Sequence, residues 1–229
     1  AILAAPGTDR NRFLPSYAEA LFRGCQVCCL DFHYAVSRSQ GREEAALEYG
    51  RKALEAAGLV VSQVHGPWRS PPRDATEEDQ QERMEKMKRS ILATQLLGCK
   101  NWVIHPIMPY GAQEIDTEDA PKTWEMNKAF LKELLQYAKE QDVTICLENM
   151  PMRKFSMGSP EQVLKFAKEM NDDHFKICLD SGHSALIPDL CLSDMVRRMG
   201  NELRVLHIHD NMGKLENYLT VNGDKHLMP

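Results

Sequence analysis

The sequence predicts an α/β fold in which parallel strands and helices alternate as in a β/α barrel. Short apolar runs rich in Val, Ile, Leu and Cys recur along the chain with little alternation of polar and apolar residues. Such runs are typical of parallel strands that are buried on both faces. Their ends lie about 30 to 40 residues apart, the length that a βαβ unit needs. Segments with helical spacing separate them, so we expect an uninterrupted series of βα units.

Seven apolar runs are predicted as strands. They are Ile2–Ala5, Val27–Asp31, Leu59–His65, Asn101–His105, Val143–Glu148, Phe175–Asp180 and Arg204–His209. A closed barrel of this type needs eight strands. We therefore expect a (β/α)8 barrel that lacks its last β/α unit. No low-complexity linker or shift in composition divides the chain, so residues 1–229 are expected to form a single, C-terminally incomplete domain.

Four segments between the strands carry helix signals. Thr76 is followed by acidic residues, which is typical of a helix start. Ser159 opens a capping box with Gln162, and Pro160 occupies the first helical position. Glycines end two of the segments. The predicted helices are 41–58, 76–98, 121–141 and one that begins after Ser159.

The charge and cysteine content restrict the class of protein. The chain has 28 Lys plus Arg against 33 Asp plus Glu. This balance argues against a nucleic-acid partner, because nonspecific affinity for phosphate backbones comes mostly from Lys and Arg. No apolar run approaches the about 20 residues of a membrane span. Seven cysteines, several of them inside apolar runs, indicate the reducing cytoplasm.

Five of the predicted strands end in or near a side chain that can bind a metal ion. These side chains are His65, His105, Glu148, Asp180 and His207. In a β/α barrel the carboxyl ends of all strands meet at one face, so the five are expected to converge. Carboxylates attract a divalent cation, and neutral imidazole ligates it. Each of the five alone has an ordinary structural explanation, but the joint pattern predicts a metal site.

Further metal-capable residues follow these strand ends. His183 comes three residues after Asp180. His209 follows His207 at the two-residue period of a strand, so it is expected on the same side, one step further out. In the next loop, Asp224 and His226 form another carboxylate and imidazole pair.

Three motifs resemble the xylose-isomerase-like TIM barrel superfamily, which contains sugar phosphate isomerases and epimerases together with apurinic endonuclease family 2. The motifs are Leu147-Glu148-Asn149, Cys178-Leu179-Asp180-Ser181-Gly182-His183 and His207-Ile208-His209-Asp210-Asn211. They occur in this order, and the resemblance runs over most of the chain. It implies a TIM barrel with a metal-dependent site at the carboxyl ends of its strands.

The resemblance also implies roles for individual residues. The implied metal ligands are Glu148, Asp180, His183, His207, Asp224 and His226. The implied catalytic residues are Glu148 and His183. Residues expected to contact substrate are His65, Trp68, His105 and His209. In the endonuclease branch, His65 and His105 match positions of additional zinc ligands, so these residues do not decide between the two branches.

One residue of the superfamily's pattern is not found in this chain. The resemblance implies a fourth metal ligand, a Glu on the eighth strand that often also serves as a catalytic acid or base. The chain stops at Pro229, before that strand. We therefore expect these 229 residues to carry a metal site that lacks one carboxylate.

The predicted function is that of a divalent-metal-dependent isomerase or epimerase of a sugar or sugar phosphate in carbohydrate metabolism. The metal ion (Mn, Mg, Co or Zn) is expected to polarise substrate oxygens, while carboxylates move a proton between carbons through an enediolate. An apurinic endonuclease with a multi-zinc site acting on abasic DNA is the first alternative. A non-catalytic barrel that binds a metal or sugar is the second. The expected partner is a small sugar, with no membrane, and the loops leave room for a homo-oligomer.

Overall fold

Six parallel strands form one sheet and lie across it in the order in which they occur in the chain. The computed structural model describes residues 27–31, 43–56, 58–67, 77–107, 117–152 and 154–208, together with short strands at 210–211, 218–219 and 225–226. The six strands are β1 (Val27–Asp31), β2 (Val60–His65), β3 (Asn101–Ile104), β4 (Thr144–Glu148), β5 (Phe175–Asp180) and β6 (Leu203–His207). This order is that of consecutive βαβ units in a β/α barrel. The predicted strand Ile2–Ala5 lies outside the described residues.

Six α-helices and one short 3₁₀ segment connect the strands in the described part of the chain. The helices are α1 (Glu43–Ala56), α2 (Glu77–Leu96), α3 (Asp119–Glu140), α4 (Pro160–Met170), α5 (Ser181–Ala185) and α6 (Leu192–Met199), and the 3₁₀ segment is Gly200–Glu202. The first four correspond to the predicted helices, with ends that differ by up to two residues. Helices α5 and α6 are not predicted, because both are too short to show a clear apolar period.

Local signals mark the ends of two helices as the sequence predicts. Helix α4 begins with a complete capping box, in which the Gln162 amide N–H donates to Ser159 Oγ and the Ser159 amide N–H donates to Gln162 Oε1. Helix α2 is followed by Gly98, whose φ of +73° is in the left-handed region that favours glycine. These signals mark where the chain enters α4 and where it leaves α2.

The main apolar core lies between the helices and one face of the sheet. Alternate strand residues such as Trp102, Ile145 and Ile177 are fully buried there, against helix residues such as Ile91 and Leu134. Trp102 is therefore a core residue. Among the described residues no helix is long and apolar enough to cross a membrane.

The opposite face of the sheet carries a smaller apolar layer. Its buried members are Val103, Cys146 and Cys178, with Val205 packed against them. Each of these four residues lies two positions before one of the metal-capable residues, and strand residues two apart share a face. The inner layer therefore forms a floor beneath the predicted site.

Past β6 the chain forms a separate antiparallel sheet of three short strands, β7 (Asp210–Asn211), β8 (Tyr218–Leu219) and β9 (Lys225–His226). The predicted strand Arg204–His209 is thus displaced by one or two residues, because β6 already begins at Leu203 and ends at His207. The other predicted strands of the parallel sheet differ from the observed strands by at most one residue at either end.

Candidate functional site

Five polar side chains meet at the edge of the sheet where the parallel strands end, which we term the carboxyl edge. His65, Glu148, Asp180 and His207 are the last residues of β2, β4, β5 and β6, and His105 follows β3 directly. Because parallel strands in register end at the same level, these residues are neighbours although they are up to 142 positions apart in sequence. Glu148 lies at the centre of the group, and only 2% of its surface is exposed.

One carboxylate oxygen of Glu148 faces two imidazoles. Glu148 Oε2 lies 3.2 Å from His65 Nε2 and 3.2 Å from His105 Nε2. The two imidazole nitrogens are themselves 3.2 Å apart. Their rings meet edge to face, with centroids 4.8 Å apart. This side of Glu148 is therefore a compact donor group of one carboxylate and two imidazoles.

The other oxygen of Glu148 faces a second group of donors. Glu148 Oε1 lies 3.0 Å from His207 Nδ1 and 3.6 Å from His183 Nδ1. Asp180 Oδ2 lies 3.6 Å from the same nitrogen of His207. Asp180 and His207 are both buried. The two oxygens of one carboxylate thus lie beside two separate sets of metal-capable side chains.

Backbone carbonyls orient two of the imidazoles. His65 Nδ1 lies 2.8 Å from the Gly66 carbonyl oxygen, and His183 Nδ1 lies 2.8 Å from the Asn149 carbonyl oxygen. A carbonyl oxygen only accepts, so in both rings Nδ1 carries the proton and donates it. Nε2 is then the nitrogen that can ligate a cation when the ring is neutral. Histidine ligands of metal ions commonly have this arrangement.

The position after His65 requires a glycine for steric reasons. A Cβ atom at this residue would lie 2.5 Å from a ring carbon of Trp102, a contact that a side chain does not tolerate. The close approach lets the Gly66 amide N–H donate to the Val103 carbonyl at 2.7 Å. Glycine at this position thus allows the chain after β2 to pack on β3 while its carbonyl holds His65.

The charges of the group depend on one another. Burial alone would raise the pKa of Glu148, but the charges and hydrogen bonds of His105 and His207 hold that pKa well below its usual range. Burial acts to lower the pKa of His65, but the hydrogen bond and charge of Glu148 raise it above the ordinary value. Burial lowers the pKa of His105. The lowered pKa of Glu148 favours its carboxylate form, and the lowered pKa of His105 favours the neutral imidazole that can ligate a cation.

Asp180 has a second function in local structure. It is the N-cap of α5, and its Oδ1 accepts a hydrogen bond from the His183 amide N–H at 2.7 Å. This cap makes the chain turn into a helix directly after β5, which brings His183 back over the end of the strand. The three-residue spacing of Asp180 and His183 is thus explained by the capping geometry.

The donor set fits a divalent cation. Three groups have ligand atoms within 4.8 Å of one another: His65 with His105 and Glu148; Glu148 with Cys178 and His207; and Glu148 with Asp180 and His183. Within the described residues, the ion pairs of Glu148 are all with histidines. Imidazole and carboxylate together suit several divalent metals, including Zn and Mn.

The structure describes six of the predicted site residues at this edge, namely His65, His105, Glu148, Asp180, His183 and His207. Trp68, His209 and Asp224 lie outside the described residues. His226 belongs to β9, but its side chain is likewise outside the described part. The contacts of these four residues therefore stay predictions.

Three residues near the site have contacts that sequence reasoning did not assign. Cys178 was predicted only as a buried strand residue, yet its Sγ lies close to Glu148 and His207. Burial raises the pKa of this thiol to about 12, so it is neutral at ordinary pH. Gly66 and Asn149 supply the carbonyls that orient His65 and His183. Their position directly after a metal-capable strand end was the available signal.

Comparisons with known proteins agree with this architecture. A family model described as "Xylose isomerase-like TIM barrel" matches residues 16–229. The uncharacterized protein ML2432 of Mycobacterium leprae (strain TN) is 28% identical over 165 residues, which cover 63% of this chain and 51% of that protein. The chain thus spans about half the length of this curated relative.

Two solved structures have the same fold. D-psicose 3-epimerase, determined in the presence of D-fructose, is 16% identical, with a TM-score of 0.72 over 95% of this chain and 72% of that chain. The IOLI protein with a binding zinc atom is 17% identical, with a TM-score of 0.72 over 92% of this chain and 72% of that chain. The predicted barrel class is confirmed by these likenesses. Since the family model also matches nearly all of the sequence, the chain belongs to the xylose isomerase-like TIM barrel family.

Proposed function

We propose that residues 1–229 form a single barrel domain of a divalent-metal-dependent isomerase or epimerase that acts on a small sugar or sugar phosphate. The observation that carries this proposal is the buried carboxylate of Glu148, which lies among imidazoles at the carboxyl edge. Active sites of β/α barrels lie at this edge. The likeness to a sugar epimerase determined in the presence of D-fructose supports a sugar as the substrate class.

The metal would be held by Glu148, Asp180 and His207, with His183 beside them and His65 and His105 across the carboxylate. A bound divalent cation supplies polarisation of the substrate's carbonyl and hydroxyl oxygens and stabilises negative charge on them. The donor types suit Mn, Mg, Co or Zn, and the zinc atom bound by the IOLI protein makes zinc a good first choice for testing.

The chain's own residues would handle the proton. Glu148 is the carboxylate at the centre of the group and would accept a proton from a substrate carbon as the general base. His183 would orient a substrate oxygen. Burial of the carboxylate excludes bulk water from its surroundings, which protects a carbanion-like state from side reactions.

The test is metal content and ketose epimerisation of the full-length protein beside Glu148→Gln. We expect about one metal ion per chain and a loss of turnover of at least about 100-fold in the variant, the usual contribution of a general base. Glu125→Gln, which changes an exposed carboxylate on α3, is the matched control and should behave as wild type. Metal binding without turnover of any ketose or ketose phosphate would reject the enzyme and favour a non-catalytic binding barrel.

A second candidate is favoured by one specific observation. Glu148 Oε2 lies beside His65 and His105, whereas Glu148 Oε1 lies beside His183 and His207. With Glu148 between them, these two groups of residues would hold more than one metal ion. Such a site suits a multi-zinc apurinic endonuclease, although the net charge of −5 opposes binding of DNA. About three zinc ions per chain, cleavage of abasic DNA and no sugar turnover would establish this candidate over the isomerase.

A further inference from the structure

Asn149 is the first residue after β4, and its side chain is fully buried. Its amide group makes three hydrogen bonds. Asn149 Oδ1 accepts from the Asp180 amide N–H at 2.7 Å, and Asn149 Nδ2 donates to the Asp180 carbonyl and to Ser184 Oγ, each at 3.2 Å. Both backbone groups of Asp180 are therefore bonded to one side chain from the neighbouring strand.

These bonds continue the sheet beyond its last backbone pair. The ladder between β4 and β5 ends where Glu148 is paired with Cys178. At the next position the Asn149 amide takes the place of a peptide group, with one acceptor and one donor toward Asp180. Since Glu148 adjoins Asn149 in the chain, the separation of the Glu148 and Asp180 carboxylates is determined by this short connection.

The backbone of Asn149 has a separate function. Its carbonyl is directed at the imidazole of His183, which donates from Nδ1 at 2.8 Å. His183 is also tied to Asp180, whose Oδ1 accepts from the His183 amide N–H. Ser184 closes the arrangement, because its Oγ donates to the Asp180 carbonyl at 2.6 Å. Asn149 thus bonds to the backbone of one candidate ligand, Asp180 on β5, and to the imidazole of another, His183 on α5.

We propose that Asn149 is a positioning residue that holds Asp180 in register with Glu148 and keeps His183 in the Nδ1–H tautomer, with the lone pair on Nε2. This inference rests on the proposed function, because it assigns Asn149 to the same metal site. The described contacts of Asn149 are with Asp180, His183 and Ser184, so it would act through these residues. A neutral amide is required, since only an amide offers both the acceptor and the donor that the Asp180 backbone uses.

The first experiment needs no metal. In the metal-free full-length protein, ¹⁵N NMR of the imidazoles, with His183 assigned by comparison with His183→Gln, reports which ring nitrogen carries the proton. At a pH where the ring is neutral, we expect the Nδ1–H form in wild type and a reduced share of that form in Asn149→Asp. A neutral His183 with the proton on Nε2 in wild type would overturn the proposal.

The second experiment titrates Co²⁺ into the same proteins and follows its visible absorption, which depends on ligand geometry. Asn149→Asp keeps the acceptor and replaces the donor by a carboxylate oxygen, so we expect 10- to 100-fold weaker binding and an altered spectrum. Ser184→Ala removes one support of the same network and should produce a smaller change in the same direction. Ser184→Ala can take the place of Asn149→Asp in this experiment if Asn149→Asp does not fold.

Thr94→Val is the matched control. Thr94 on α2 is buried, and its Oγ1 donates a hydrogen bond to the Ser90 carbonyl at 2.9 Å within the same helix. Its loss should lower the urea midpoint while leaving the Co²⁺ affinity within twofold and the spectrum unchanged. Equal weakening of Co²⁺ binding by Thr94→Val and Asn149→Asp would show a merely structural effect and overturn the proposal. If wild type binds no Co²⁺, the proposed function fails, and the metal-free NMR still decides the positioning of His183.

Discussion

Carboxylates at the two edges of the parallel sheet differ in their partners and in their burial. At the amino edge, where the strands begin, carboxylates are paired with lysines near solvent: Lys139 Nζ lies 2.7 Å from Asp172, and Lys176 Nζ lies 3.2 Å from Glu202. At the carboxyl edge, the carboxylate of Glu148 is buried, and its described ion pairs are with imidazoles.

The two edges differ in whether the positive charge beside a carboxylate can be replaced by a metal ion. A lysine keeps its proton near neutral pH, so an amino-edge pair is complete as it stands. Imidazole loses its proton in the physiological range and then becomes a metal ligand. The carboxyl edge can therefore replace protons by a divalent cation at little cost in charge balance. The following predictions test this contrast, beginning with the largest expected effect.

Asn127→Leu is expected to destabilise the carboxyl edge strongly. Buried Asn127 on α3 accepts from the Ile107 amide N–H at 2.7 Å and donates to the Ile107 and Thr123 carbonyls, both at 2.9 Å. Leucine removes these bonds from backbone groups that water does not reach easily. We expect a loss of about 3 kcal/mol in the free energy of unfolding, measured by urea denaturation. A loss below about 1 kcal/mol would mean that the Ile107 and Thr123 backbone groups do not depend on Asn127 for their hydrogen bonds.

Addition of a divalent metal is expected to stabilise the protein through the carboxyl edge alone. At a free concentration 100 times its Kd, a cation that binds only the folded state adds about 2.7 kcal/mol. Thermal unfolding with zinc or manganese, and again after addition of a chelator, measures this effect. Glu148→Gln should lose most of it, whereas Lys139→Met at the amino edge should retain it in full. Equal stabilisation of wild type and Glu148→Gln would place the cation elsewhere.

Lys139→Met is expected to have the smallest effect. Its pair with Asp172 is partly exposed, and pairs of this kind contribute less than about 1 kcal/mol. The difference from wild type in urea denaturation should also shrink in 1 M NaCl, because salt screens solvent-exposed charges. A larger, salt-independent loss would mean that the amino edge also relies on buried charge, and the contrast between the edges would fail.

Elements with strong local signals were predictable from the sequence. Strand Phe175–Asp180 was predicted with both ends correct, because its apolar run stops at a charged residue. The start of α4 follows from the Ser159 capping box. Helix α5 was not predictable by periodicity, because its five residues complete little more than one turn. It forms because Asp180 caps it, and the sequence shows that cap only once the end of β5 is known.

The sequence by itself determined the order of the βα units and placed His65, His105, Glu148, Asp180 and His207 at or next to the ends of successive strands. The tertiary structure decided which atoms meet. Only the register of β3 to β6 brings Glu148 Oε2 to His105 and Glu148 Oε1 to His207. The burial of Glu148 and the shift of its pKa follow from these contacts. The physical reason is that strand propensity acts between neighbours in the chain, whereas desolvation and charge coupling act between side chains that only folding brings together.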